Sequence, residues 1–90
     1  MIQVWTRLQD EGWNSSGGDC GDVQSARKLV RRYIKGPLGS SCMYWIVEVD
    51  PNKGRYRILM DNDECFAMAS GDTTKSKRRP KWINFARERR

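Results

Sequence analysis

The chain has 90 residues, of which 38 % are hydrophobic and 31 % are charged, and none is histidine. This length allows one hydrophobic core, and the composition excludes a wholly disordered chain. Histidine is the commonest general acid–base at neutral pH, and the chain contains no complete catalytic motif, so we predict that the protein is not an enzyme, although a nuclease can work with carboxylates and Lys alone.

The net charge of +6 is unevenly distributed along the chain. Residues 73–90 contain eight basic side chains and one acid, whereas residues 1–72 contain nine basic and ten acidic side chains. We predict a compact domain over 1–72 and a partly docked basic segment over 73–90. Such asymmetry is typical of a segment that meets a polyanion, although a basic end that only aids solubility would show it too.

The cysteines, Cys20, Cys42 and Cys65, are widely spaced and form no CxxC motif. Their odd number argues against a disulfide scaffold, and a zinc site would need all three plus a carboxylate. We therefore expect free thiols in a reducing cytoplasm, and no metal or cofactor. The first residues do not have the pattern of a signal peptide, and the longest apolar run, MYWIV, is far shorter than the roughly 20 residues of a membrane span. No membrane partner is expected.

The N-terminal half of the chain predicts a strand, a loop and a helix. Residues 2–8 alternate in the manner of a half-buried strand, and residues 9–22 have the Gly, Ser and Asp content of a loop. Apolar residues recur at helical spacing over 22–35. Asp22 or Asp19 is expected to cap this helix, and Gly36 to end it in the left-handed conformation.

The C-terminal half predicts a hairpin followed by two further elements. Residues 43–60 read as two strands joined by the turn DPNKG. Residues 64–69 fit a third meander strand slightly better than a short helix, and 81–86 form the last element. The predicted fold is α+β, an antiparallel sheet in β-α-β-β-β order packed by one amphipathic helix. If 64–70 is helical and 81–86 a strand, the order becomes the split βαββαβ arrangement.

Three short motifs resemble catalytic or metal sites but lack essential residues. The loop NSSGGDCGD has no Lys of a phosphate-binding loop, and its acids suit helix capping better. The acids of DNDE, residues 61–64, do not continue as a calcium loop, and a solvated turn is favoured. Cys20 precedes a helix, but no histidine is present to activate it. We predict no catalytic and no metal-binding residues.

Basic residues interleaved with aromatic ones point to nucleic acid. Cations neutralise phosphates, and aromatic rings stack on unpaired bases. The sequence does not distinguish DNA from RNA. The strand residues Arg55 and Arg57 and the helix residue Lys35 belong to the wider basic set. The predicted contact residues are Arg27, Lys28, Arg31, Arg32, Lys77, Arg78, Arg79, Lys81, Trp82 and Arg87.

The alternative function is a protein-directed inhibitor or adaptor of the phage or mobile-element type. Anti-CRISPR and anti-restriction proteins share the small size and the lack of catalytic motifs, which is a general likeness and not a sequence match. Such a protein would block a host complex that handles nucleic acid. Trp5 and Trp13 would then be exposed contact anchors, because Trp dominates interface hot spots. Homo-oligomerisation through a sheet edge is a further alternative.

Overall fold

The computed structural model describes residues 1–8, 12–16, 18–37, 39–71 and 80–85. They form an α+β domain with a five-stranded antiparallel sheet, which confirms the predicted fold class. The strands, in spatial order, are β2 (Asn14–Ser16), β1 (Ile2–Leu8), β3 (Cys42–Asp50), β4 (Arg55–Met60) and β5 (Ile83–Asn84). The helices are α1 (Val23–Lys35) and α2 (Asn62–Ala69), and a 3₁₀ turn covers Gly39–Ser41.

The first strand is confirmed, but part of the predicted loop is a strand as well. β2 pairs antiparallel with β1, so that Ser15 lies opposite Trp5. Gln3 helps to hold this pairing, because its Oε1 accepts hydrogen bonds from Trp5 Nε1 at 2.9 Å and from Ser15 Oγ at 3.2 Å. The sequence Asn-Ser-Ser has little strand propensity, so this short strand depends on its tertiary partners.

Helix α1 begins at the predicted cap and places its apolar stripe in the core. Asp22 is extended, and its Oδ1 accepts from the N–H of Ser25 at 2.7 Å. Ala26 and Val30 are fully buried beneath the helix. Gly36 follows the last turn with φ −78° and ψ 178°, so the prediction of a left-handed cap is wrong. Pro37 comes next and cannot supply the N–H that would continue the helix.

The predicted hairpin is confirmed as β3 and β4. Gly54 ends its turn at φ +61°, a conformation that favours glycine. Glu48 lies opposite Arg57, and Asp50 opposite Arg55. Ile46 lies opposite Met60 and the next residue, Val47, opposite Ile58, so Leu59 is the extra residue of a bulge in β4.

The preference for a strand over residues 64–69 is wrong, because this segment belongs to α2. The N-cap is Asp61, whose Oδ1 accepts from the N–H of Glu64 at 2.9 Å, while Glu64 Oε1 accepts from the N–H of Asp61 at 3.3 Å. This reciprocal capping box satisfies free N–H groups at the helix start. Asn62 joins α2 to the sheet by accepting from the N–H of Tyr44 at 2.9 Å.

The observed element order is β-β-α-β-β-α-β, and the sheet order differs from that of the split βαββαβ arrangement. Leaving β2 aside, the strands lie side by side in chain order, and every neighbouring pair is antiparallel. A split βαβ unit would instead place β1 beside a parallel strand. The alternative topology is therefore wrong, although its assignment of a second helix and a final strand is correct.

The sheet carries a hydrophobic cluster on each face. On the helix side, the fully buried Val4, Val30 and Ile46 pack with Tyr44 and Cys65. On the face opposite the helices, called the far side below, the cluster is built from Val47, Val49 and Tyr56 with the partly buried Trp5, Trp45, Ile58, Ile83 and Phe85. β3 is the middle strand of the sheet, and it contributes to both clusters.

Candidate functional site

The polar side of α1 carries a continuous group of cations, which we call the basic helix face. At 100° per residue these side chains span an arc of about 140°, and the first and last lie about 12 Å apart along the axis. The apolar stripe occupies the complementary arc, so the cations lie on the side of the helix away from the core. The basic helix face consists of Arg27, Lys28, Arg31, Arg32 and Lys35.

No acidic residue balances this face within the helix itself. The sequence of α1, VQSARKLVRRYIK, contains no Asp or Glu. Among the described residues, no carboxylate oxygen lies within 4.0 Å of a nitrogen of these five cations. Lys28, Arg31, Arg32 and Lys35 are exposed, whereas Arg27 is half-buried. The face is therefore a concentrated positive charge that meets solvent at four of its five cations, whereas the Nε of Arg27 is buried.

The basic helix face affects the pKa of one acid at the start of α1, Asp22. The pKa of the Asp22 carboxyl is lowered mainly because it accepts a hydrogen bond from the N–H of Ser25, and the charge of Lys28 lowers it further. The Asp22 carboxylate therefore caps the helix and stays ionised at neutral pH.

A second set of cations lies where β4 meets β5, and it is neutralised. Arg57 Nε donates to Glu48 Oε1 at 2.6 Å, and Arg55 Nε donates to Asp50 Oδ2 at 3.3 Å. The two guanidinium carbons lie 4.7 Å and 4.3 Å from the ring centroid of Trp82, within cation–π range. We call these five residues the anchor cluster, because Trp82 directly precedes β5 and the cluster fastens it to the hairpin.

The structure separates the predicted contact residues into groups. Arg27, Lys28, Arg31 and Arg32 share the basic helix face. Lys81 is exposed and Trp82 half-buried at the β5 edge, and β3 and β4 separate that edge from β1, on which α1 packs. The predicted contacts Lys77, Arg78, Arg79 and Arg87 lie outside the described residues.

The two tryptophans expected to project as contact anchors are half-buried. Trp5 packs on Tyr56 with a centroid distance of 4.6 Å, and its ring lies 6.4 Å from that of Phe85. Trp13 stacks on Trp45 with a centroid distance of 3.8 Å. These rings form a packed aromatic layer on the far side of the sheet rather than free projections.

The three motifs set aside in the sequence have structural roles. Asp19 Oδ1 accepts from the N–H of Gly21 at 2.9 Å, which shapes the loop before α1. The acids of residues 61–64 include the capping box of α2. Burial raises the pKa of the Cys20 thiol, which is opposite to the shift of an activated nucleophile. Burial also raises the pKa of Cys65 to about 12.

Sequence reasoning missed a pocket at the C-terminal end of α1, which we call the helix-end pocket. Its volume is about 440 Å³, and it is lined by Thr6, Arg32, Tyr33, Gly36, Pro37, Cys42 and Tyr44. Gly39 keeps the adjoining turn tight against α1, because a Cβ there would overlap the carbonyl oxygen of Ile34. These residues come from three separated segments, so only the tertiary fold brings them together.

Comparison of the chain with models of protein families, with curated proteins and with solved structures yields no match. Within the described ranges, neither helix has the length and apolar character needed to cross a membrane. The same residues contain no group of three or more Cys, Asp or Glu side chains placed to hold a metal ion.

Proposed function

We propose that the protein is a small, non-enzymatic nucleic-acid-binding protein whose basic helix face contacts backbone phosphates. The observation that carries this proposal is that five cations share one face of α1 and no described carboxylate pairs with them. Solubilising surfaces commonly intersperse charges of both signs, whereas this helix face carries one sign.

This concentration of charge has a cost in stability. Arg27 and Arg31, Lys28 and Arg32, and Arg31 and Lys35 are like-charged pairs at i, i+4 spacing. Together they destabilise the helix by about 1 kcal/mol. A bound polyanion would remove this repulsion, so binding and stability should be linked.

The binding mechanism is mainly electrostatic. Each phosphate neutralised by a cation releases counterions, so affinity falls with rising salt with a slope of about 0.9 per phosphate on duplex DNA and about 0.7 on single strands. The basic segment at 73–90 would add to this attraction from its own position on the chain. Phosphate contacts set position and affinity, and they do not by themselves read a base sequence.

The experiment is a binding titration of labelled single- and double-stranded DNA and RNA, followed by fluorescence anisotropy across a salt series. We expect Lys28→Gln/Arg31→Gln/Lys35→Gln to weaken binding at least tenfold and to reduce the salt slope by about 1 for each phosphate that the variant no longer neutralises. Circular dichroism confirms that the variant is folded. Unchanged affinity in this folded variant would refute the assignment to α1.

A matched pair separates this surface from net charge in general. Arg31→Gln and Lys53→Gln each remove one exposed cation, the first from α1 and the second from the β3–β4 turn. We expect only the first to reduce affinity and salt slope clearly. Equal effects would mean that the protein attracts nucleic acid by total charge alone.

The role of the basic segment in binding is tested by replacing its cations with neutral residues rather than by deleting the segment. Removing residues 73–90 would also remove Ile83 and Phe85, which pack in the far-side cluster. The suitable variant is Lys77→Gln/Arg78→Gln/Arg79→Gln in the full chain. A decrease in affinity additive with that of the α1 variant would assign independent phosphate contacts to the two segments.

The second candidate function, a protein-directed inhibitor or adaptor, is favoured by the aromatic far side of the sheet. Met43 is exposed there beside the half-buried Trp45. An acidic patch on a host nucleic-acid-handling protein would also suit the basic helix face. Absence of binding to every nucleic acid at near-physiological salt would leave this candidate, to be tested by co-purification with tagged protein.

The cellular setting that fits either function is a reducing one such as the cytoplasm. All three cysteines are free thiols.

Self-association of the protein is measured in the same samples by sedimentation. A dimer would double the number of cations presented to one nucleic-acid strand.

A further inference from the structure

The helix-end pocket adjoins the basic helix face through one shared residue. Arg32 belongs to the exposed cations of α1 and also lines the pocket. The volume of about 440 Å³ is within the range of small-ligand sites, about 300–1,000 Å³. A ligand that filled the pocket would therefore lie next to phosphates bound on the helix.

The walls of the pocket suit a flat aromatic group. The rings of Tyr33 and Tyr44 are nearly parallel, with a centroid distance of 6.4 Å and an interplanar angle of 16°. Tyr44 is buried and Tyr33 half-buried, so Tyr33 is the ring able to offer a face to a ligand. Pro37 and Gly36 add apolar surface and close backbone approach. Unpaired nucleobases stack on such aromatic surfaces.

The described lining of the pocket contains the cation Arg32 and no Asp or Glu. Tyr44 donates its hydroxyl hydrogen to the carbonyl of Gly39 at 3.3 Å, and burial raises its pKa to about 12, so it is uncharged at neutral pH. No described carboxylate pairs with Arg32. One cation beside an uncharged aromatic cavity complements a neutral base attached to an anionic phosphate.

We infer that the helix-end pocket receives one unpaired base of a single-stranded nucleic acid whose phosphates lie on the basic helix face. This inference rests on the proposed function and deepens it, because it names the form of nucleic acid. Arg32 contacts the phosphate of the inserted nucleotide, and Tyr33 stacks on its base. A base inside a duplex is stacked and paired, so the pocket favours single strands.

The first test compares three probes: an oligothymidylate, an oligomer of equal length in which every site is abasic, and a blunt duplex. The abasic strand has the same phosphates without the bases. We expect oligothymidylate to bind about tenfold more tightly than the abasic strand, as one stacked base would give. Tyr33→Leu should remove this difference while leaving abasic-strand affinity within about twofold, since phosphate contacts persist.

The second test needs no substitution and uses the cysteines as reporters. Cys42 lines the pocket, whereas Cys20 is similarly half-buried in the loop before α1 and outside the pocket lining. Iodoacetamide labelling is followed at each cysteine by peptide mass spectrometry. Saturating oligothymidylate should slow labelling of Cys42 several-fold and leave Cys20 unchanged, and the abasic strand at equal saturation should protect neither.

The outcomes separate the two proposals. If no probe binds, the proposed function and this inference both fail. If oligothymidylate and the abasic strand bind equally well and Cys42 stays reactive, the basic helix face binds phosphate and the pocket assignment is overturned. Protection of Cys42 by free thymidine monophosphate but not by the strand would also overturn it, because the pocket would then be a nucleotide site.

Discussion

The basic helix face and the anchor cluster contain the same kinds of cation in opposite settings. On α1 five cations lie together without a described carboxylate beside them, whereas Arg55 and Arg57 each have an acidic partner on β3 and a place beside Trp82. The paired cations of the anchor cluster help to hold the fold together, whereas the cations of the basic helix face have no described carboxylate within 4.0 Å. A count of Lys and Arg along the chain does not reveal this difference.

The largest expected effect comes from removing the ring at the centre of the anchor cluster. Trp82→Ala should lower the free energy of unfolding by about 2 kcal/mol, because it removes apolar burial and two cation–π interactions. Urea denaturation followed by circular dichroism measures the change. The exposed neighbour provides the control, since Lys81→Ala should stay within about 0.5 kcal/mol of the parent chain. Equal stability of both variants would show that Trp82 does not anchor β5.

The same substitution should have opposite effects in the two regions. Arg57→Gln should destabilise the protein by about 1 kcal/mol, because it breaks the pair with Glu48 and a cation–π interaction at a partly exposed position. Arg31→Gln should stabilise it by a few tenths of a kcal/mol, because two like-charged i, i+4 pairs disappear. Urea denaturation at low ionic strength measures both, and destabilisation by both variants would contradict the comparison.

A change in ionic strength should affect the stability contributions of the basic helix face and of the anchor cluster differently, by a smaller amount than these substitutions. Raising the ionic strength from about 0.01 to 0.5 M shortens the screening length to a few ångströms, which weakens both repulsion on α1 and attraction in the anchor cluster. We expect a net gain in stability for the parent chain. The variant Lys28→Gln/Arg31→Gln/Lys35→Gln should gain less, or lose stability, because the ion pairs of the anchor cluster remain. An identical salt response in both chains would mean that the repulsion on α1 is negligible.

The smallest effect concerns the acid that caps α1. The folded pKa of Asp22 is lowered, so its stabilising contribution is present above the unfolded value of 3.8 and is lost as the pH falls through the folded value. Thermal unfolding between pH 2 and 5 should show this loss. Asp22→Asn keeps a capping oxygen and removes the titration, so its Tm should vary less in that interval. Parallel curves for both chains would exclude this contribution.

Local patterns were sufficient to predict β1, α1 and the β3–β4 hairpin. In β1, α1 and β3 the side-chain period matches the buried face, and Asp22 and Gly54 mark boundaries of α1 and of the hairpin. The sequence of α2 does carry a helix signal, since Asp61 and Glu64 have the spacing of a capping box. The composition of residues 64–69 nevertheless favoured a strand. β2 carried no local signal, since its polar sequence becomes a strand only beside β1.

The site was harder to predict than the fold, because it depends on partners distant in sequence. The helical spacing grouped Arg27, Lys28, Arg31 and Arg32 correctly on one surface. The pairing of Arg55 and Arg57 with acids follows from hairpin register, which the composition of the strands does not define. The helix-end pocket arises where the end of α1 meets β1 and β3, and no single segment contains its pattern.

The position of β3 between two hydrophobic clusters has a consequence for the unfolded chain. Tyr44 and Ile46 pack on one side of the strand and Val47 on the other, so unfolding exposes an apolar, β-prone run without proline. Runs of this kind associate between chains into intermolecular sheets. Refolding yield should therefore fall as protein concentration rises. Glu48 and Asp50, which hold the anchor cluster in the native protein, end this run with negative charge and oppose such stacking before folding is complete.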